Sequence, residues 1–248
     1  MAGKEIRTQM VQVPNQGLQI DSYLAEPVEE GTFPAVIVFQ EIFGINTHIR
    51  EVTERLAREG YVAIAPALYQ RTAPGFDVGY SQEEVLLGRK YKEQTKAAEF
   101  MGDIQATIAY LKRLPKFQGD AIGCIGFCFG GLVAYLAATL PDIKATASFY
   151  GGGTTTWMPG GGEPPVSQTA KIHGVLYGFY GTQDDLIPNE QVDQIESALQ
   201  QHQVQHRIFR YPTGHGFFCN HRASYNAVAA ADAWEQVKEL FRSTLKAS

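Results

Sequence analysis

Between residues 8 and 27, apolar and polar side chains alternate on either side of Pro14-Asn15-Gln16-Gly17. That is the period of a strand with one wetted face, and the turn formers at its centre predict an antiparallel hairpin. The texture then changes. Residues 33–39 (FPAVIVF) are a short, nearly continuous apolar run, 46–60 (NTHIREVTERLAREG) have helical spacing and stop at a glycine, and 61–66 (YVAIAP) are apolar again. The alternation continues with helical stretches within 82–113, strands at 121–126, 144–151, 174–181 and 206–212, and helices at 129–140, 189–202 and 224–245. Apolar strands separated by helices predict an α/β fold whose mainly parallel sheet is flanked by helices on both faces. The hairpin becomes its antiparallel edge. With no linker-like break and no solenoid repeat, residues 1–248 are expected to form a single domain.

Two stretches, 69–82 and 151–170, are too irregular in composition for a strand or helix. In a sheet of this class, loops that follow strands gather at the carboxyl ends, where ligands bind.

Composition narrows the function. A chain of 248 residues that is 44% hydrophobic can bury a substantial core. Its formal charge of −5, with no basic tail or stripe, argues against nucleic acid and membrane partners and for a small-molecule substrate. Three cysteines leave at least one free thiol, which suits a reducing compartment. The opening residues lack the apolar core of a signal peptide, and no apolar run approaches the roughly 18 residues of a membrane span. A cytoplasmic location is the expectation.

The chemistry centres on Gly126-Phe127-Cys128-Phe129-Gly130, a G-x-S-x-G elbow with cysteine in place of serine, set between a strand and a helix. Such a turn lifts the central side chain clear of the backbone, at a helix N-terminus that favours a thiolate and then an oxyanion. Phe129 is expected to donate its backbone N–H to that oxyanion. A nucleophilic thiol needs a base and an acid that orients it. Asp184, in Gly181-x-x-Asp184-x-x-Ile187-Pro188 after an apolar strand, is the candidate acid, with Asp185 read as a helix cap. His215, between Gly214 and Gly216 after the last strand, is the candidate base. His221 is a weaker loop candidate, and His48, His173, His202 and His206 read as structural or surface residues. Cys124 reads as core, and Cys219 is undecided. Glu41 ends the strand at 33–39, in the loop that supplies the second oxyanion N–H, here from Ile42.

Taken in order, Q-E-I-F-G at 40–44, G-F-C-F-G-G at 126–131, G-x-Q-D-D-x-I-P at 181–188 and G-H-G-F at 214–217 resemble the dienelactone hydrolase family (carboxymethylenebutenolidases) over nearly the full length. The resemblance implies the α/β-hydrolase fold and opening of a lactone ring through an acyl-thiol intermediate. Matched by position, the nucleophile is Cys128, the acid Asp184, the base His215 and the activating glutamate Glu41. It also implies arginines that hold a substrate carboxylate; Arg222 fits one such position, and Arg89, near Lys90 and Lys92, is the candidate for the other. Tyr91 and Trp157 are candidate pocket residues. A broader carboxylesterase or thioesterase shares the four motifs, and a ligand-binding scaffold without turnover is a third reading, disfavoured by the intact Cys128, Asp184 and His215. Cys124, Cys128, His215, Cys219 and His221 can be drawn as metal ligands, but Cys-x3-Cys across a strand-to-helix turn matches no zinc knuckle, so no metal is expected. The first parallel strand is followed by no Gly-rich dinucleotide motif, so neither a nicotinamide nor a flavin cofactor is expected.

Overall fold

In the computed structural model, which describes residues 3–246, the alternating N-terminal segment becomes strands β1 (Ile6–Asn15) and β2 (Leu18–Pro27). The two residues between them, Gln16 and Gly17, both have positive φ, 48° and 90°. A type I′ hairpin requires this, because only that turn matches the twist of the strands it joins.

Strand and helix then alternate through β3 (Phe33–Phe39), α1 (Thr47–Arg58), β4 (Val62–Pro66), α2 (Gln82–Glu93), α3 (Ala97–Leu111), β5 (Phe117–Phe127), α4 (Phe129–Ala137), β6 (Ile143–Phe149), β7 (Val175–Gly181), α5 (Asn189–Gln201), β8 (His206–Tyr211) and α6 (Ala227–Leu245). The strands form one eight-stranded sheet in the order β1-β2-β4-β3-β5-β6-β7-β8. Strand β2 is antiparallel to both β1 and β4, and the remaining neighbours are parallel. The hairpin is therefore an edge stitched onto the parallel sheet by β2. Several boundaries differ from the pattern-based expectation, two of them for visible reasons; helix α4, for one, ends at Ala137, three residues early. Helix α6 begins at Ala227 because the side chain of Asn226 caps it, accepting from the Ala229 N–H at 3.0 Å. Strand β5 begins four residues early, where Phe33 and Phe117 pair before the register shifts.

Burial follows the two-residue period. In β3, Val36 and Val38 join one apolar cluster with residues of α1 and α6, and Ala35, Ile37 and Phe39 join the other with residues of α3 and α4. The sheet is thus buried on both faces, as near-continuous apolar strands require. Among the described residues, no helix is long and apolar enough to cross a membrane.

The strand order also locates the site. Neighbours β3 and β5 send their connections in opposite directions, β3 through α1 to β4 and β5 through α4 to β6. A crevice opens at the carboxyl ends of such a pair. The residues that follow those ends are Gln40-Glu41 and Cys128. Close backbone approach makes the turn possible: a Cβ on Gly126 would lie 1.9 Å from the Gly130 carbonyl oxygen, and one on Gly130 would lie 2.3 Å from that of Phe39.

Gly126→Ala must push α4 off the sheet. We expect a loss of about 3 kcal/mol, the upper range for an overpacked core. For a domain of this size that lowers the melting midpoint by roughly 6–12 °C; an unchanged calorimetric midpoint would refute the close-approach account.

Candidate active site

Cys128 stands at the elbow between β5 and α4 with φ 54° and ψ −113°, a left-handed conformation rare for a residue with a Cβ. Its N–H donates to the Phe149 carbonyl at 3.0 Å, and its own carbonyl accepts from the Gly131 and Leu132 N–H groups at 2.9 and 3.3 Å. The turn is tied to β6 on one side and to the helix on the other. Phe129 is the first residue of α4, a position whose N–H has no intrahelical acceptor.

Asp184 and His215 meet across the ends of β7 and β8. A Cβ on Gly181 would lie 2.2 Å from the Thr213 carbonyl oxygen, so a glycine there lets the His215 loop fold onto the end of β7. Asp184 is buried; its Oδ1 accepts from the Leu186 N–H at 2.8 Å and its Oδ2 lies 2.7 Å from His215 Nδ1. The aspartate forms its own turn, which corrects one expectation. Asp185 caps nothing, since α5 starts after Pro188 without a side-chain cap, and Asp185 is exposed. With Nδ1 occupied, the other ring nitrogen of His215, Nε2, is buried and has no hydrogen-bond partner among the described residues. Burial opposes charging of this imidazole, but the negative charge of a Cys128 thiolate and the Asp184 hydrogen bond outweigh it and push the pKa up to about 10. A Cys128 thiolate raises the ring's pKa both by its charge and by a hydrogen bond, although Nε2 has no well-aligned partner among the described residues.

Glu41 is fully buried after β3. Its Oε1 accepts from Arg222 Nη1 at 3.0 Å, and its Oε2 from the Tyr80 hydroxyl at 3.4 Å. Gly216 has φ 77°, and a Cβ there would lie 2.5 Å from Arg222 Nη1, so glycine beside His215 leaves room for the guanidinium. Among the described residues no hydrogen bond joins Cys128 to Glu41; the carboxylate sits with Arg222.

Cys128, His215 and Arg222 border a cavity of about 410 Å³ also lined by Ile42, Phe43, Val85, Phe129, Gly152, Gly153, Thr156, Leu186, Arg89, Lys92 and Trp157. Arg89, Lys92 and Arg222 are among these lining residues, and no carboxylate is. Helix α2 carries Arg89 and Lys92 over the crevice by approaching the Ile42 backbone at Gly88, where a Cβ would lie 2.4 Å from the Ile42 carbonyl oxygen. The Lys92 ammonium sits 4.4 Å from the Trp157 ring centroid. Tyr91 is a second correction. It does not line the cavity; its ring packs on Phe76 and Tyr69, with centroids 4.9 and 6.2 Å away.

The remaining thiols and imidazoles sort themselves by burial. Cys124 is sealed in the core beside Thr146, and burial pushes its thiol up to about 12. Cys219 is also buried and donates to the Tyr80 hydroxyl at 3.2 Å. His221 lies apart, paired with Glu51 at 2.9 Å.

Two residues at the site escaped the sequence reading. Tyr80 comes from an irregular loop that carries no motif. Tyr150 follows β6 with φ 36°; its ring stands edge-on to His215 at 5.1 Å and its buried hydroxyl is unpartnered among the described residues. His48, expected to be structural or surface, is of the structural kind, buried beside Glu41. A signal for it existed, because it lies four residues before the buried Val52 on the inward face of α1.

Comparison with known proteins bears on this arrangement. A sequence model described as the "Dienelactone hydrolase family" matches residues 20–245. A Synechocystis sp. protein named "Putative carboxymethylenebutenolidase" is 59% identical over 243 residues, covering 98% of this chain and 99% of its own length. A Bradyrhizobium sp. protein named "Probable 2-oxo-3-(5-oxofuran-2-ylidene)propanoate lactonase" is 30% identical, with 94% and 93% covered. Among solved structures, the "Putative Dienelactone Hydrolase" of Klebsiella pneumoniae superposes with a TM-score of 0.87 at 31% identity, covering 96% of this chain and 99% of that one.

A Cys128 thiolate leads the influences that raise the His215 pKa, so replacing it has a definite sign wherever that thiolate forms. In Cys128→Ser the titration midpoint of the His215 ring, followed by nitrogen NMR, is expected to fall from about 10 by more than about one unit. An unmoved midpoint would mean that the sulfur and the imidazole are not coupled.

Proposed function

The chain belongs to the dienelactone hydrolase family, and on that premise we propose that this lactone- and ester-cleaving hydrolase works through Cys128 as nucleophile, His215 as base, Asp184 as its orienting acid and Glu41 as a switchable proton acceptor. One observation carries the reading: the His215 ring is anchored through Nδ1 on buried Asp184 at 2.7 Å, leaving Nε2 unpartnered beside Cys128.

The chemistry follows from these positions. The Cys128 thiolate attacks the carbonyl carbon, and the negative charge collects on the former carbonyl oxygen. Backbone N–H groups of Phe129 and Ile42 receive that charge. When the carbonyl reforms, the ring C–O bond breaks and the oxygen leaves as an enolate, which takes the proton from His215. A thioester remains on Cys128. Water then gives its proton to His215 and attacks the thioester, and the thiolate departs with the acid product released.

Glu41 regulates the first step. Family resemblance implies that a resting thiol stays neutral near the glutamate until substrate arrives. A negative carboxylate nearby disfavours a thiolate, which shields the sulfur from oxidation. Arg222 provides the trigger in this reading: a substrate carboxylate competes with Glu41 for the guanidinium, and the released Glu41 helps pass the proton of Cys128 to His215, leaving a thiolate beside an imidazolium. A lactone bearing a carboxylate, of the 4-carboxymethylenebut-2-en-4-olide class that such enzymes open to maleylacetate, satisfies both ends of the cavity. The cationic lining given by Arg89, Lys92 and Arg222 supports this choice over a neutral ester.

Three kinetic outcomes test the reading. Cys128→Ala is expected to lose at least about a thousandfold in kcat, as removal of a nucleophile that acts as a unit with its base does, and Cys128→Ser to lose most of its rate; if both matched the parent, the mechanism would be wrong. Arg222→Met removes a charged hydrogen bond of about 2–3 kcal/mol. For a dienelactone that is a roughly 30–150-fold rise in KM, against little change for a neutral p-nitrophenyl ester; equal effects on both would favour a general esterase. Finally, Glu41→Gln should speed alkylation of the resting Cys128 by iodoacetamide. An unchanged rate would remove Glu41 from its assigned role.

A further inference from the structure

Beside Glu41 lies a cluster for which the hydrolytic reading has no use. One carboxylate oxygen of Glu41, one ring nitrogen of His48 and the sulfur of Cys219 all lie within 4.8 Å of one another, and all three residues are buried. They come from separate parts of the chain: the loop after β3, the first turn of α1 and the loop after His215. Their polar needs are unevenly met. Glu41 gives Oε1 to Arg222 and receives on Oε2 a long contact from Tyr80, and Cys219 donates to the same Tyr80 hydroxyl. His48 Nε2 is buried with no hydrogen-bond partner among the described residues. An orphaned imidazole nitrogen in the interior carries a desolvation cost that calls for a partner.

We propose that Glu41, His48 and Cys219 form a binding site for a thiophilic divalent cation, best matched by Zn2+, and that its occupation arrests hydrolysis by holding Glu41. Carboxylate oxygen, imidazole nitrogen and thiolate sulfur are the donor types that select such a cation over Mg2+ or Ca2+. Metal–ligand bonds of about 2.0–2.3 Å in a tetrahedron bring ligand atoms to about 3.3–3.8 Å from one another. The three side chains therefore close by at most roughly 1.5 Å, and the Tyr80 hydroxyl or a water completes the fourth position. The charges balance locally: Zn2+ meets one carboxylate and one thiolate, and the Cys219 proton is released to solvent on binding. Arg222 remains on Oε1, and its positive charge weakens the site, which makes the metal a reversible ligand instead of a structural one. Its donor set differs from those drawn from cysteine spacing, because His48 is separated from Cys219 by most of the chain.

Binding stands on these residues alone; only the arrest of hydrolysis rests on the role proposed for Glu41. The decisive experiment uses the full chain carrying Cys128→Ala, so that the one accessible sulfur of the catalytic elbow is gone and Cys124 stays sealed. Titration with Co2+ is expected to produce a sulfur-to-cobalt charge-transfer band, with tetrahedral visible bands, at one equivalent per chain. Adding Cys219→Ser or Cys219→Ala must abolish the charge-transfer band, and adding His48→Phe must raise the apparent Kd at least tenfold. The two substitutions at 219 guard against one that fails to fold, as read by circular dichroism. No thiolate band in Cys128→Ala, or a band that survives loss of Cys219, overturns the site. The arrest is read as the ratio of hydrolysis with and without Zn2+, so that lowered basal rates do not enter. His48→Phe is expected to need at least tenfold more Zn2+ than the parent for half inhibition. An equal requirement overturns the arrest, whereas a parent without lactone or ester turnover overturns the proposed function and leaves the cobalt result standing.

Discussion

A single strained backbone conformation sets the geometry of the site: Cys128 at φ 54° and ψ −113°. For a residue with a Cβ this costs about 1–3 kcal/mol and persists only where surrounding structure over-determines it. Here the surroundings do so through backbone contacts. The Cys128 N–H is fixed to Phe149 in β6, its carbonyl to the first turn of α4, and Gly126 and Gly130 let strand and helix touch at distances no side chain permits. Phe127, fully buried before the turn, locks β5 into the core. The strain delivers a sulfur to the cavity that Phe129, the first residue of α4, also lines. Everything else at the site is arranged around an atom whose position was settled by the sheet.

Next in importance is the buried contact between Glu41 and Arg222. Burying an ion pair is rarely a gain in stability, because desolvation offsets most of the attraction, while removing one partner leaves an unpaired charge in the interior. Retaining such a pair at the end of the strand beside the Cys128 elbow makes sense if the carboxylate has a second place to go. Among the described residues Glu41 is held on Oε1 by the guanidinium and on Oε2 by the long Tyr80 contact, so its strongest restraint is the guanidinium. Glu41 is also the residue shared with His48 and Cys219, which places two competing claims on one buried carboxylate.

Most of the fold was legible because its signals are local. Apolar runs in β3 and β4, the helical spacing of α1 and the turn residues at Gln16-Gly17 each report a period or a backbone requirement carried by neighbouring residues. The motifs around Cys128, Asp184 and His215 were legible for the same reason, since each is a glycine-framed turn at a strand end. What stayed hidden depends on contacts distant in sequence. Tyr80 reaches Glu41 from a loop without periodicity. Tyr91 turned away from the cavity because α2 leans on Ile42 through Gly88, which fixes which face of that helix looks inward. Asp185 was read as a cap on proximity alone, whereas the chain passes through Pro188 before α5 begins. The role of His48 needed three segments to converge.

The replacement of serine by cysteine at the elbow can be weighed against the state of its base. An imidazole pushed up to about 10 is readily charged beside a thiolate, so the pair rests as an ion pair once the proton has left sulfur. A thiolate leaves a tetrahedral intermediate more easily than an alkoxide does, so with a simple ester the intermediate tends to revert to reactants. An enol-type oxygen, whose negative charge is delocalised, leaves without strong protonation. The thiol, the raised imidazole and the basic side chains of Arg89, Lys92 and Arg222 therefore meet at one cavity, where the state of each depends on the charge of the others.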